Sequence, residues 1–141
     1  MPILTSSDTA LLRNDEYGKG YFGASRDGGR THEGLDLILA VGDPVFASKS
    51  GRVTQVKDVK GYGKWVEIHH PDGLFSRYAH LSTQEVREGQ WVSIHQVIGA
   101  AGKTGNAKSP KIMPHLHFEI RNNTKALDPS GGLLDPSITI R

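Results

Sequence analysis

The chain has 141 residues, enough for one ordinary domain with a real hydrophobic core. A formal charge of +2, with no arginine- or lysine-rich block, argues against a nucleic-acid partner. Cysteine is absent, which excludes disulfides, thiolate nucleophiles and cysteine-bound zinc together.

In chain order, residues 1–20 (MPILTSSDTALLRNDEYGKG) lack the basic start and long apolar run of a secretion signal. They read as an extension packed on the domain, with at most one helical turn over 8–13. No window of the chain reaches the apolar length that spans a bilayer. Eight short runs rich in valine, isoleucine and aromatic residues then read as strands: 35–41, 44–48, 51–59, 64–70, 74–81, 91–94, 97–102 and 116–121. Glycine-bearing turns separate them, including DGGR, KSGR, KGYG and PDG. Short strands at regular spacing with turn chemistry between them predict an all-β sandwich or barrel with little helix. The clearest hairpin joins WVEIHH to LFSRYAHL through PDG. A faint repeat relates VGDPVFASKSGRV (41–53) to EGQWVSIHQVIGAAG (88–102). Residues 122–141, with NNTK, DPSGG and LDPS, read as a loop-rich tail. The boundaries expected are an extension at 1–20, a domain at 21–136 and a tail at 137–141.

The seven histidines carry the chemistry. His69 and His95 read as surface or structural groups, and His70, which opens the HPDG turn, reads as structural. In THEGLDLIL, Asp36 follows His32 by four residues, so an extended segment puts both side chains on one face. Imidazole and carboxylate are good zinc ligands, and a third nitrogen would complete the protein's share of a catalytic site. In KIMPHLHFEI, His115 and His117 alternate on a strand and point one way, while Leu116 and Phe118 point the other. Such a face can offer one imidazole to a metal and keep the other beside it to move a proton. His80, in RYAHLS at a strand end, can supply a second such group.

THEGLDL, RYAHLS and PHLHFEI, in this order and spacing, resemble the lysostaphin/LytM-like zinc metallopeptidases, which cleave peptide bonds in bacterial peptidoglycan. The resemblance runs from FGASRDGGRTHEGLDL through LDPS, most of the chain. It implies an antiparallel two-sheet sandwich built from a duplicated β-hairpin unit, which would account for the faint repeat. It also implies Zn²⁺ held by His32, Asp36 and His117, with His80 and His115 handling protons. Arg26 is the nearest counterpart of a family residue that helps hold the scissile carbonyl. The SPKIMPHLHF segment is longer and more basic than the family pattern, which bears on substrate preference. The function so implied is a zinc endopeptidase acting on peptidoglycan crosslinks or stem peptides, in the periplasm or outside the cell. Its expected partners are wall peptides, with no nucleic acid and no membrane span, and the chain is expected to be a monomer. The alternative is a non-catalytic wall-binding or hydrolase-activating module of the same fold. Degenerate modules of that kind lack one or more metal residues, and here all three ligands and both imidazoles are present.

Overall fold

The computed structural model describes residues 9–10, 14–15, 18–19, 34–108, 112, 114–127 and 139–140. The eight apolar runs form strands. These are β4 (Leu35–Ile38), β5 (Pro44–Phe46), β6 (Gly51–Val59), β7 (Gly63–His69), β8 (Phe75–Gln84), β9 (Trp91–Val92), β10 (Val97–Ala101) and β11 (His115–Arg121). The strands β1 (Thr9–Ala10), β2 (Asn14–Asp15) and β3 (Gly18–Lys19) precede them, and β12 (Ala126–Leu127) and β13 (Thr139–Ile140) follow. One 3-10 turn, Gly105–Lys108, is the helical element among the described residues. Where a helical turn was expected, Thr9 and Ala10 are extended and pair in parallel with Thr139 and Ile140. Two-residue strands of this kind carry little pattern of their own.

Strands β4 to β12 form one antiparallel network in the order β12-β11-β8-β7-β6-β9, with β4 on β11 and with β10 bridging β8 and β5. This is the nearly helix-free antiparallel class expected from the sequence. The HPDG hairpin forms as read: Gly73 N donates to His70 O at 3.0 Å, and Leu74 N to the Asp72 carboxylate at 3.0 Å. Gly73 takes φ +86°, a left-handed turn position that glycine occupies without a Cβ penalty.

Alternation sends Leu35 and Leu37 of β4, Val66 and Ile68 of β7, Tyr78 of β8, and Leu116 and Phe118 of β11 into a common core with Val45, Val53 and Ile98. Burying a side chain of this size contributes about 1.5–3 kcal/mol. Tyr78 is fully buried and packs on Phe118 at 5.4 Å between ring centroids. Its hydroxyl is satisfied by Ser48 N at 3.0 Å and by the Ser48 and Ser76 hydroxyls at 2.9 and 2.8 Å. His70 closes this cluster, with Nδ1 2.9 Å from Ser50 O and Nε2 2.8 Å from Ser76 Oγ. Burial pushes its pKa below the ordinary value, so it sits neutral in the core, and both ring nitrogens have partners. The structural reading of His70 stands on those contacts.

Candidate metal and catalytic site

The face of β11 opposite the core carries His115, His117, Glu119 and Arg121. Strand register decides what they meet. His117 lies opposite Asp36 of β4 on one side and opposite Ala79 of β8 on the other. Directly opposed residues share a sheet face, so 81 positions of sequence separation collapse into a contact. The Asp36 carboxylate is buried, and its Oδ1 lies 2.9 Å from His117 Nδ1 and 3.7 Å from His115 Nε2.

His80 reaches the same face through an irregularity. Between the β7–β8 pairs Lys64↔Leu81 and Val66↔Tyr78, β8 carries one extra residue. Strict alternation would put His80 on Tyr78's core side; the bulge turns it to the other face. His80 pays with a φ of +63°, uncommon for a residue other than glycine, asparagine or aspartate. Its ring then packs edge-on against His115, with centroids 4.9 Å apart, and lies 6.0 Å from His117. Three of the histidines expected at the site are therefore together, beside Asp36. His32 and Arg26 lie outside the described residues, as does most of the basic segment before His115.

The strained His80 is held from two sides. Its backbone N–H donates to Tyr62 O at 2.9 Å, and its Nδ1 lies 2.8 Å from Thr104 O. A carbonyl only accepts, so Nδ1 carries the proton and Nε2 keeps a lone pair directed away from that anchor. Thr104 is itself pinned, since its hydroxyl donates to Leu81 O at 2.7 Å and accepts from Lys64 N at 3.0 Å. Here two glycines cross: Gly63 at φ +67° and Gly105 at φ +68°. A Cβ on Gly105 would run into Gly61 O and Gly63 N, well inside contact distance of both. Gly105→Ala should therefore cost on the order of 1–3 kcal/mol of backbone strain and clash, seen as a fall of several degrees in thermal unfolding. It should also lower any activity that depends on His80, because Thr104 O must shift. Wild-type unfolding in that variant would show the crossing to be unimportant.

Electrostatics separate the imidazoles. Burial, followed by the neighbouring His115 and His117, pushes the His80 pKa down to about 3, which keeps the ring neutral at neutral pH. For His117, burial favours the neutral ring too, but hydrogen bonds to Asp36 and Glu119 outweigh it and raise the pKa to about 9. Burial would raise the pKa of Glu119. Hydrogen bonding and charge from His117, with Tyr62 and Arg121, instead hold it at about 2.

Both nitrogens of His117 thus face carboxylates, Nδ1 towards Asp36 and Nε2 towards Glu119 at 2.7 Å. A neutral imidazole has one N–H, so it can donate to only one of them. The second carboxylate is matched if the ring is protonated, or if a cation stands where that proton would be. A buried imidazole nitrogen and a buried carboxylate oxygen converging in this way are the donor chemistry that zinc takes. Among the described residues no group of three such side chains is arranged to hold a metal ion. Two of the three expected ligands, Asp36 and His117, are among the described residues, and the third, His32, is not.

Sequence reasoning missed Glu119, Tyr62 and Arg77. Glu119 is two residues beyond His117, so the alternation that paired His115 with His117 would have found it. The Tyr62 hydroxyl donates to Glu119 Oε2, and Arg77 lies opposite Glu119 in the β8–β11 register. Arg77 Nε donates to Glu67 at 2.6 Å, and its guanidinium stacks over Trp65 at 5.2 Å. On this side an open cleft of about 270 Å³ is bordered by Arg77, Arg121, Asn122 and Thr124.

Comparison with known proteins decides the family. The profile of peptidase family M23 matches residues 30–129, well over half of the chain. The chain belongs to peptidase family M23. Among relatives of this M23 chain, the murein hydrolase activator NlpD of Escherichia coli is 38% identical over 109 residues, 77% of the chain and 27% of NlpD. The DD-carboxypeptidase/endopeptidase Mpg of Neisseria meningitidis is 40% identical over 111 residues, 78% of the chain and 25% of Mpg. The chain thus spans about a quarter of the length of these curated relatives. A zinc-containing peptidase from Vibrio cholerae superposes with a TM-score of 0.72 at 27% identity, covering 95% of this chain and 41% of that one. The resemblance read from the three sequence motifs is to this M23 fold.

Proposed function

We propose that this M23 domain is a zinc endopeptidase that hydrolyses peptide bonds of bacterial peptidoglycan, acting in the envelope or outside the cell. The observation that carries the reading is the convergence of the buried Asp36 carboxylate with His117 Nδ1, at 2.9 Å, beside the imidazoles of His80 and His115. Asp36, His117 and His32 would hold the metal. Zinc so bound supplies Lewis-acid charge for the scissile carbonyl and for water.

Amide hydrolysis consumes one water, whose hydroxyl ends on the acyl carbon and whose proton ends on the leaving amine. The residues therefore have one proton to carry across the bond. His80 suits the task by its geometry: its Nδ1 proton is committed to Thr104 O, which leaves the Nε2 lone pair to accept. His115, edge-on to His80, is the partner through which the proton returns to the amine. Arg26 is assigned to hold the scissile carbonyl.

A second reading is favoured by the NlpD similarity: a module that activates a separate murein hydrolase. Purified protein on isolated cell walls, with zinc, with a chelator, and with an added murein hydrolase, separates the two. The endopeptidase releases fragments with cut peptide bonds by itself, and the chelator stops it. No release alone, with enhanced release by the added hydrolase regardless of chelator, would favour the activator.

A further inference from the structure

The proposed function makes His117 a zinc ligand, and the role of Glu119 rests on that reading. A ligand imidazole has two nitrogens, and the one that does not meet the metal decides the ring's orientation, tautomer and basicity. In this chain that nitrogen is Nε2, and it faces a carboxylate. Glu119 Oε2 lies 2.7 Å from it, on a side chain that is 1% exposed.

A buried carboxylate left mobile or underbonded would be a poor anchor. Glu119 is neither. Its Oε2 also accepts from the Tyr62 hydroxyl, and its Oε1 accepts from Arg121 Nη1 at 2.9 Å. Behind Tyr62, Arg77 Nη1 lies 3.4 Å from the hydroxyl, and Arg77 Nε is tied to Glu67 at 2.6 Å. Glu67 in turn accepts from Thr54 Oγ1 at 2.9 Å. The chain Thr54–Glu67–Arg77–Tyr62–Glu119–His117 crosses β6, β7, β8 and β11 by way of the β6–β7 turn. Its members sit on paired strands, Glu67 opposite Arg77 and Arg77 opposite Glu119. Each acceptor in it is met by a donor.

We propose that Glu119 is a positioning residue for the metal site. Clamped by Tyr62 and Arg121, it accepts the Nε2–H of His117 in a hydrogen bond, so that Nδ1 is the nitrogen turned towards Asp36 and left for the metal. Turning the ring over would place a C–H against each carboxylate, so the clamp selects one ring orientation before any metal arrives. Arg121, which holds Glu119, and Arg77, which meets Tyr62, also border the open cleft.

The test is zinc affinity, measured by competition with a chromophoric chelator at neutral pH, on wild type, Glu119→Gln and Tyr62→Phe. Ring ¹⁵N shifts of His117 are recorded on the same samples. Glu119→Gln should weaken zinc binding by roughly 10–100-fold and broaden or change the His117 ring pattern. Tyr62→Phe, which loses one clamp and keeps the carboxylate, should weaken it by a smaller factor and serves if Glu119→Gln does not fold. A merely structural role would lower the unfolding temperature of the metal-free variants without changing zinc affinity or the ring pattern. If wild type binds zinc and both variants bind it equally well, the positioning role is wrong while the metal site survives. If wild type takes up no zinc, the metal site itself falls, and this inference with it.

Discussion

Asp36→Asn is expected to abolish zinc uptake and peptide-bond cleavage while the sheet stays folded. The substitution removes one charge and almost no volume. Asparagine's side-chain oxygen can still accept from His117 Nδ1, so the hydrogen bond seen at 2.9 Å has a replacement in the metal-free protein. What it cannot replace is the anionic oxygen that zinc prefers. Loss of an outer partner of a ligand typically costs 10–100-fold in affinity or activity, and loss of a ligand should exceed that. The competing effect is the buried His117, which would face one carboxylate instead of two. Breaking a buried ion pair outright costs about 3–5 kcal/mol. Glu119 remains 2.7 Å away on Nε2, so the ring keeps one counter-charge and the loss should fall below that range. Metal analysis after dialysis, fragment release from walls and thermal unfolding separate the two effects. Full zinc content with full activity would remove Asp36 from the ligand set. An unfolded variant would show that its charge is structural first.

How much of this could be read from residues alone depends on which physical rule fixes each feature. Alternation fixed the most. It put His115 and His117 on one face and Leu116 and Phe118 on the other. It also located the eight main strands, because valine, isoleucine and aromatic runs between glycine turns have few other ways to bury their side chains. The same rule, carried one step further, would have reached Glu119. Period says nothing about register, however. That Asp36 meets His117 depends on β4 lying against β11, a pairing that no local pattern specifies. His80 was legible only as a histidine near a strand end. Its arrival beside His115 depends on a bulge, and a bulge breaks the periodicity on which the reading relied. Tyr62 and Thr104 lie in turns, where one residue type serves many geometries, so their roles in bonding Glu119 and His80 were invisible. The roles assigned to His32 and Arg26 came from family resemblance, and both residues lie outside the described set.

His80→Asn should leave zinc affinity near wild type and lower the turnover of wall peptides by roughly 10²–10⁴-fold, the range for a lost general acid–base group. Asparagine is the informative choice because of the backbone. At φ +63° an alanine would add strain to the missing imidazole, whereas asparagine tolerates the left-handed region. Its amide can also donate to Thr104 O in place of Nδ1, which keeps the Gly63–Gly105 crossing tied to β8. The variant therefore deletes the Nε2 lone pair with little else disturbed. A fall of that size corresponds to about 3–5 kcal/mol of transition-state stabilisation, too large to arise from a small displacement of β8. The loss should appear mainly in kcat, because His80 is assigned to move a proton and not to bind the peptide. If zinc affinity collapses together with activity, His80 is supporting the ligands and not moving protons. If activity is retained, the lone pair that Thr104 orients has no part in hydrolysis, and His115 must carry the proton alone.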